Sequence, residues 1–194
     1  MVKKKRNLKV VAMDPSMRNW GIAIFDVDPE TYELYVTDLK VIHSNKDPKK
    51  AKRKSSRDIM TVEELLNGLL PYIEDADVIV AETPIGGRDS AAALSYSICI
   101  SIIAAINVGI VKVFEVTPNE VKLNVEKNAS KSQMISWAVD MHPEAPWKYR
   151  TVKGNRVIVS GFAEHVADAI GVLYAAAKKK DFFNLINSFK GKSK

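Results

Sequence analysis

The chain has 194 residues, 46% hydrophobic and 27% charged, with 29 basic and 23 acidic side chains and a formal net charge of +6. This is one domain's worth of sequence, with room for a sizeable core. The longest apolar run, Ile98 to Ile106, is broken by Ser101 and falls short of a membrane span; Leu8 to Met13 is too short for a signal peptide; and the lone Cys99 rules out an internal disulfide or cysteine zinc site, as in a reducing, cytoplasmic setting.

Leu8 to Met13 reads as a buried strand ending in the turn Asp14-Pro15-Ser16. Trp20 to Val27 is a second strand, in which Gly21 and Ala23 add little bulk, and Glu33 to Ile42 a third. Their short connections favour an antiparallel meander. Residues 44–57 begin as a basic loop without apolar periodicity. A helix is expected over Arg57 to Tyr72, with Thr61 and Glu64 spaced as a capping box and Ser55 or Ser56 as alternative caps. Val78 to Glu82 has the composition of a buried strand. After the loop Pro84 to Arg88, Asp89 can cap a helix of small residues reaching Asn107. Val111 to Val116 is a fifth strand. Thr117-Pro118-Asn119-Glu120 and Ser130 with Gln133 each open a helix with a capping box, the second running through Met141. Trp147 to Val159 suggests a hairpin turned at Gly154-Asn155, with Trp147 and Tyr149 either stacking on bases or packing beneath it. A last long helix spans Gly161 to Lys179, and an amphipathic tail with Phe182, Leu185, Ile186 and Phe189 either folds back or supports a dimer. This order predicts an α/β fold: a mixed five-stranded sheet, strands 1–3 antiparallel and strands 1, 4 and 5 parallel, flanked by helices in a single domain over 1–194.

The net charge conceals its arrangement. Segments 1–9, 46–57 and 178–194 hold 18 basic residues and only two acids, so the remaining body carries 11 basic against 21 acidic groups. Within that acidic body, Asp14 and Glu82 end two very apolar strands, and His165 and Asp168 share a face of the last helix. Taken singly, each acid can be an ordinary turn, strand-end or helix residue. Together, carboxylates about 4 Å apart would repel by roughly 4 kcal/mol per pair at an effective dielectric near 20. An all-oxygen cluster suits Mg²⁺ or Mn²⁺, and a pair of such ions drives phosphodiester hydrolysis. A polyanionic substrate must then be held by the surrounding basic groups. The insertion residues Lys49, Lys50, Lys52, Arg53 and Lys54, the hairpin residues Lys148, Arg150, Lys153 and Arg156, and Arg88 are the expected contacts; the terminal lysines at 1–6 and 190–194 read as solvated ends.

Asp14-Pro15-Ser16 with Trp20-Gly21-Ile22-Ala23, Val78 to Glu82, Thr117 to Lys122 with Lys131-Ser132-Gln133, and His165-Val166-Ala167-Asp168 occur in an order that resembles the RuvC-like Holliday junction resolvases, from Leu8 to Ala177. The resemblance implies an RNase H-like fold, a homodimer, and paired Mg²⁺-dependent nicks across a four-way DNA junction. It implies that Asp14 bridges two metal ions, that Glu82 and Asp168 are further ligands, and that His165 is a ligand or stabilises the transition state. Lys122 and Lys131 match lysines that hold or polarise the scissile phosphate. Ser16 stands where the family usually has glycine, and the loop after Glu82 lacks the aromatic wedge of bacterial members. The basic insertion and hairpin also exceed the bacterial pattern, as expected of a phage or viral relative. The missing wedge leaves open a broader nuclease for flaps and other branched DNA, and a third alternative is a non-catalytic DNA-binding protein.

Overall fold

Period-two alternation of apolar side chains builds the centre of the structure, a computed structural model that describes residues 7–44, 53–86 and 89–190. In β1 (Leu8–Asp14), Val10 and Ala12 face one side and Val11 and Met13 the other, and all four are fully buried. A strand apolar on both faces needs cover on both. β1 pairs antiparallel with β2 (Asn19–Val27), which pairs antiparallel with β3 (Leu34–His43). On its other side β1 runs parallel to β4 (Val78–Glu82), and β4 parallel to β5 (Val113–Val116). The order β3-β2-β1-β4-β5 is the predicted mixed sheet.

Two cores follow from the two faces. Val11, Met13, Trp20, Ile22 and Ile79 pack beneath α1 (Lys54–Ile73) and α2 (Ser90–Gly109). Val10, Ala12, Ala23, Phe25, Val78 and Val80 pack beneath α5 (Ser160–Ala177), with α3 (Pro118–Lys122) and α4 (Lys131–Met141) beside it. Alanines at 163, 167 and 169 let α5 lie close to the sheet, where β1 and β2 also present small residues.

Several boundaries differ from expectation. α1 begins at Lys54 after an extended Arg53 that makes no side-chain cap, so Thr61 and Glu64 lie inside the helix and Ser55 and Ser56 in its first turn. β5 starts two residues late because Val111 closes the end of α2 on the Ile106 carbonyl, and Val113 N–H donates to Asn107 Oδ1 at 2.9 Å. The hairpin forms from β6 (Tyr149–Val152) and β7 (Asn155–Ile158), but it turns at Lys153-Gly154, both at positive φ, rather than at Gly154-Asn155. A two-residue turn of that hand suits strand twist, and glycine is needed at only one of its positions. Trp147 is buried and its Nε1 donates to the His142 carbonyl at 2.8 Å, so it supports the hairpin from below and is not presented to bases. The tail forms α6 (Lys180–Asn187) and folds back, with Phe182 edge-on to Phe114 and Tyr32 stacked on Phe183.

α2 alone among the described helices is long and apolar enough to cross a bilayer by length and composition, which counting unbroken apolar runs overlooks because serines interrupt it. Those serines, 95, 97 and 101, donate to carbonyls one turn back. Cys99, Ile102, Ile103 and Ile106 bind it to the core, while Tyr96, Ile100 and Val108 are exposed.

Candidate active site

The alternation that builds the second core also aims the acids. Asp14 continues the Val10, Ala12 series and Glu82 the Val78, Val80 series, so both carboxylates emerge on the α5 face. Met13 pairs with Ala81 in the parallel register, which makes Asp14 and Glu82 the next residues of adjacent strands at the same sheet edge. Across β1, Asp14 pairs with Gly21. An added Cβ on Gly21 would meet the His165 carbonyl oxygen at 2.3 Å, so this glycine is where α5 comes down onto the sheet. His165 Nδ1 consequently lies 3.6 Å from Asp14 Oδ2. Asp168, one helical turn further along, is within electrostatic reach of Asp14, His165 and Lys131.

Taking these acids out of water has a cost. Burial pushes the Glu82 carboxyl up to about 8, with the charges of Asp14 and Asp168 adding to the rise and Lys122 opposing it. Burial likewise pushes Asp168 up to about 7, with Asp14 adding and His165 and Lys131 opposing. Carboxylates so placed call for compensating positive charge. Among the described residues, no three ligating side chains stand close enough to enclose an ion by themselves. Oxygen donors with open positions fit the way Mg²⁺ binds, through one or two carboxylates with water and phosphate completing the shell. The donor set of Asp14, Glu82, Asp168 and His165 therefore suits a divalent cation.

Two capping boxes position the lysines. Thr117 Oγ1 accepts from Glu120 N–H while Glu120 accepts from Thr117 N–H, which starts α3 and places Lys122 at its end, near enough to Glu82 to stabilise the ionised carboxylate. Ser130 and Gln133 repeat the arrangement, making Lys131 the first residue of α4. Lys131 Nζ reaches Glu164 Oε2 at 2.8 Å, and Glu164 Oε1 lies 3.5 Å from His165 Nε2. Glu164 escaped the sequence reading: it is adjacent to His165, but nothing in the chain's periodicity signals that Lys131 arrives there.

The described basic groups of the insertion and the hairpin, with Lys178 and Lys179, fall at the start of α1 and at the two ends of α5. β1 and β3 run in the same direction, so β3 ends at the same sheet edge as Asp14, with β2 between them; Arg53 and Lys54 are exposed at the start of α1. The hairpin precedes the N-terminal end of α5, the end that carries His165. Arg150, Lys153 and Arg156 are exposed there, Lys148 lies over the Phe162 ring at 4.4 Å, and the Arg156 guanidinium stacks on exposed Tyr149 at 3.9 Å. Lys49, Lys50, Lys52 and Arg88 lie outside the described residues. By contrast, Lys178 and Lys179 sit at the other end of α5, roughly 15 Å along its axis from Asp168 at 1.5 Å per residue. There they donate to the carbonyls of Leu123 and Glu115.

No protein-family profile matches the chain, and no curated protein matches it in sequence. Solved structures do. Thermus thermophilus RuvC in complex with a Holliday junction substrate matches with a TM-score of 0.58 and 15% identity over 88% of this chain and 93% of that one. The yeast mitochondrial Holliday junction resolvase Ydc2 gives 0.57 and 16%, over 97% of this chain and 87% of that one. Fowlpox virus resolvase in complex with Holliday junction DNA gives 0.54 and 16%, over 89% of this chain and all of that one. At these identities the likeness is one of fold: an RNase H-like mixed five-stranded sheet flanked by helices.

Proposed function

We propose that this chain is a RuvC-like, divalent-metal-dependent endonuclease that resolves four-way DNA junctions by paired nicks. The observation that carries this reading is the gathering of Asp14, Glu82, Asp168 and His165 at the carboxyl ends of parallel strands, in a fold shared with proteins solved on junction DNA. These four side chains would hold two Mg²⁺, or Mn²⁺ in its place. Bound ions would supply Lewis-acid stabilisation of the phosphoryl oxygens and a water of lowered pKa. The chain's own residues do the rest. Lys131 and Lys122 meet the phosphate around the scissile bond, and Arg53, Lys54 and the hairpin cations hold flanking backbone. A purely DNA-binding role leaves the buried carboxylates without purpose, since negative charge beside DNA weakens binding.

Two symmetric cuts require two sites, and α2 offers the surface to pair them. It has no charged residue over its 20 positions, yet Ala93, Tyr96, Ile100, Ala104 and Val108 form an exposed stripe at helical spacing. Such a face is normally covered. Ile100→Glu is expected to convert a dimer to a monomer in sedimentation velocity, with uncoordinated single nicks replacing paired ones; an unchanged sedimentation coefficient would place the interface elsewhere.

The function is tested with end-labelled four-way junctions, flaps and linear duplex in Mg²⁺ or EDTA. Symmetric, Mg²⁺-dependent nicks confined to the four-way substrate are expected. Equal cutting of flaps would favour a broader branched-DNA nuclease, a reading motivated by the loop after Glu82, where exposed Ile85 is apolar but not aromatic. Tight binding without metal-dependent cleavage would overturn both.

A further inference from the structure

Glu164 is a carboxylate beside His165 to which the proposed chemistry gives no task. It meets Lys131 at 2.8 Å through one oxygen and lies 3.5 Å from His165 through the other. His165 in turn lies 3.6 Å from Asp14. A chain of contacts thus runs from α4 through Glu164 to the end of β1.

Lys131 is 71% exposed at the first position of its helix. A long lysine there samples many rotamers unless something fixes it, and an ion pair this exposed contributes little to stability. The contact therefore matters little to folding. What it does alter is where the ammonium stands. It brings Lys131 close enough to Asp168 and Asp14 for their charges to be felt. An ammonium has three donors, so one spent on Glu164 leaves two for phosphate oxygens.

We propose that Glu164 is a positioning residue: its carboxylate bridges Lys131 and His165, and so holds the Lys131 ammonium at the acidic edge, ready for the scissile phosphate. This rests on the endonuclease reading above. Because Glu164 acts through Lys131, its contribution vanishes when Lys131 is absent. It belongs to the turnover step and not to capture of DNA, since a carboxylate adds nothing to phosphate binding.

The test is a double-mutant cycle on junction cleavage. Glu164→Gln is expected to lower kcat about tenfold with KM nearly unchanged, and Glu164→Asp to recover part of the loss. In a Lys131→Ala background, Glu164→Gln is expected to change kcat less than about twofold. Junction affinity measured in EDTA should be equal or slightly tighter for Glu164→Gln. An equal loss in both backgrounds, or none in either, would overturn the proposal. A second readout needs neither metal nor DNA: the side-chain Nζ–H NMR signal of Lys131 should be visible in the wild-type protein and lost to exchange in Glu164→Gln. An unchanged signal would show that Glu164 does not hold Lys131. If the wild-type protein cuts no junction, the endonuclease reading fails, and the NMR comparison still decides the contact.

Discussion

Asp14→Asn is expected to slow strand cleavage by at least about 10³-fold, equivalent to some 4 kcal/mol of activation free energy, while leaving the protein folded and able to bind a four-way junction. Asp14 is the acid nearest the middle of the arrangement: it lies beside His165, and its charge is felt at both Glu82 and Asp168. Asparagine matches its shape and keeps an oxygen, but removes the charge that would hold a divalent ion. The same change relieves repulsion in the metal-free protein. Asp14→Asn should therefore melt higher than wild type in EDTA, by about 2–4 °C for each kcal/mol relieved in a chain of this size. Mg²⁺ should raise the melting temperature of wild type and do little for the variant. Single-turnover cleavage, junction affinity without metal, and melting in EDTA and Mg²⁺ together check the expectation. A variant that cuts normally, or one that melts lower in EDTA and responds to Mg²⁺ like wild type, would remove Asp14 from the centre of the site.

The sequence displayed those elements whose signals are local. Thr117 with Glu120 and Ser130 with Gln133 are reciprocal hydrogen-bonding patterns within four residues, and both appear as capping boxes. Alternation in Val10 to Asp14 and Val78 to Glu82 was enough to put both acids on one face once the strands were taken as parallel neighbours. The Thr61 and Glu64 spacing misled because a capping box matters only where the backbone actually turns extended, and at α1 that place is Arg53. Trp147 was ambiguous for a different reason: an indole buries well and stacks well, and only the carbonyl of His142 meeting its Nε1 decides between them. The pairing of Lys131 with Glu164 spans 33 residues and two helices, so no pattern in the chain could announce it. The net charge of +6 pointed to a polyanion. The fold then sorted those charges along α5, setting the hairpin cations at the end that carries His165, and Lys178 and Lys179 at the other end.

Gly21→Ala is expected to damage both stability and cleavage, although it adds a single methyl group. The new Cβ would stand 2.3 Å from the His165 carbonyl oxygen and 2.8 Å from its carbonyl carbon. These are backbone atoms of a helix packed along its length, so no side chain can swing aside. Overpacking of this kind costs about 1–3 kcal/mol, and a backbone clash belongs at the upper end. For a protein of this size that corresponds to a melting temperature lower by about 6–12 °C. The displacement acts where it matters most, because the helix residue pushed away is His165 itself and Asp14 is the cross-strand partner of Gly21. A misplacement of about 1 Å at a reacting centre can cost about 10²-fold in rate. Cleavage at 15 °C, where the variant remains folded, should thus fall far more than any loss of folded protein explains. Gly161→Ala is the control: it lies in the first turn of the same helix, its Cβ would meet nothing within 4 Å, and it should leave cleavage unchanged with stability equal or slightly higher. If Gly21→Ala instead melted and cut like Gly161→Ala, α5 would not sit on the sheet closely enough to bring His165 to Asp14, and the site would have to be assembled in another way.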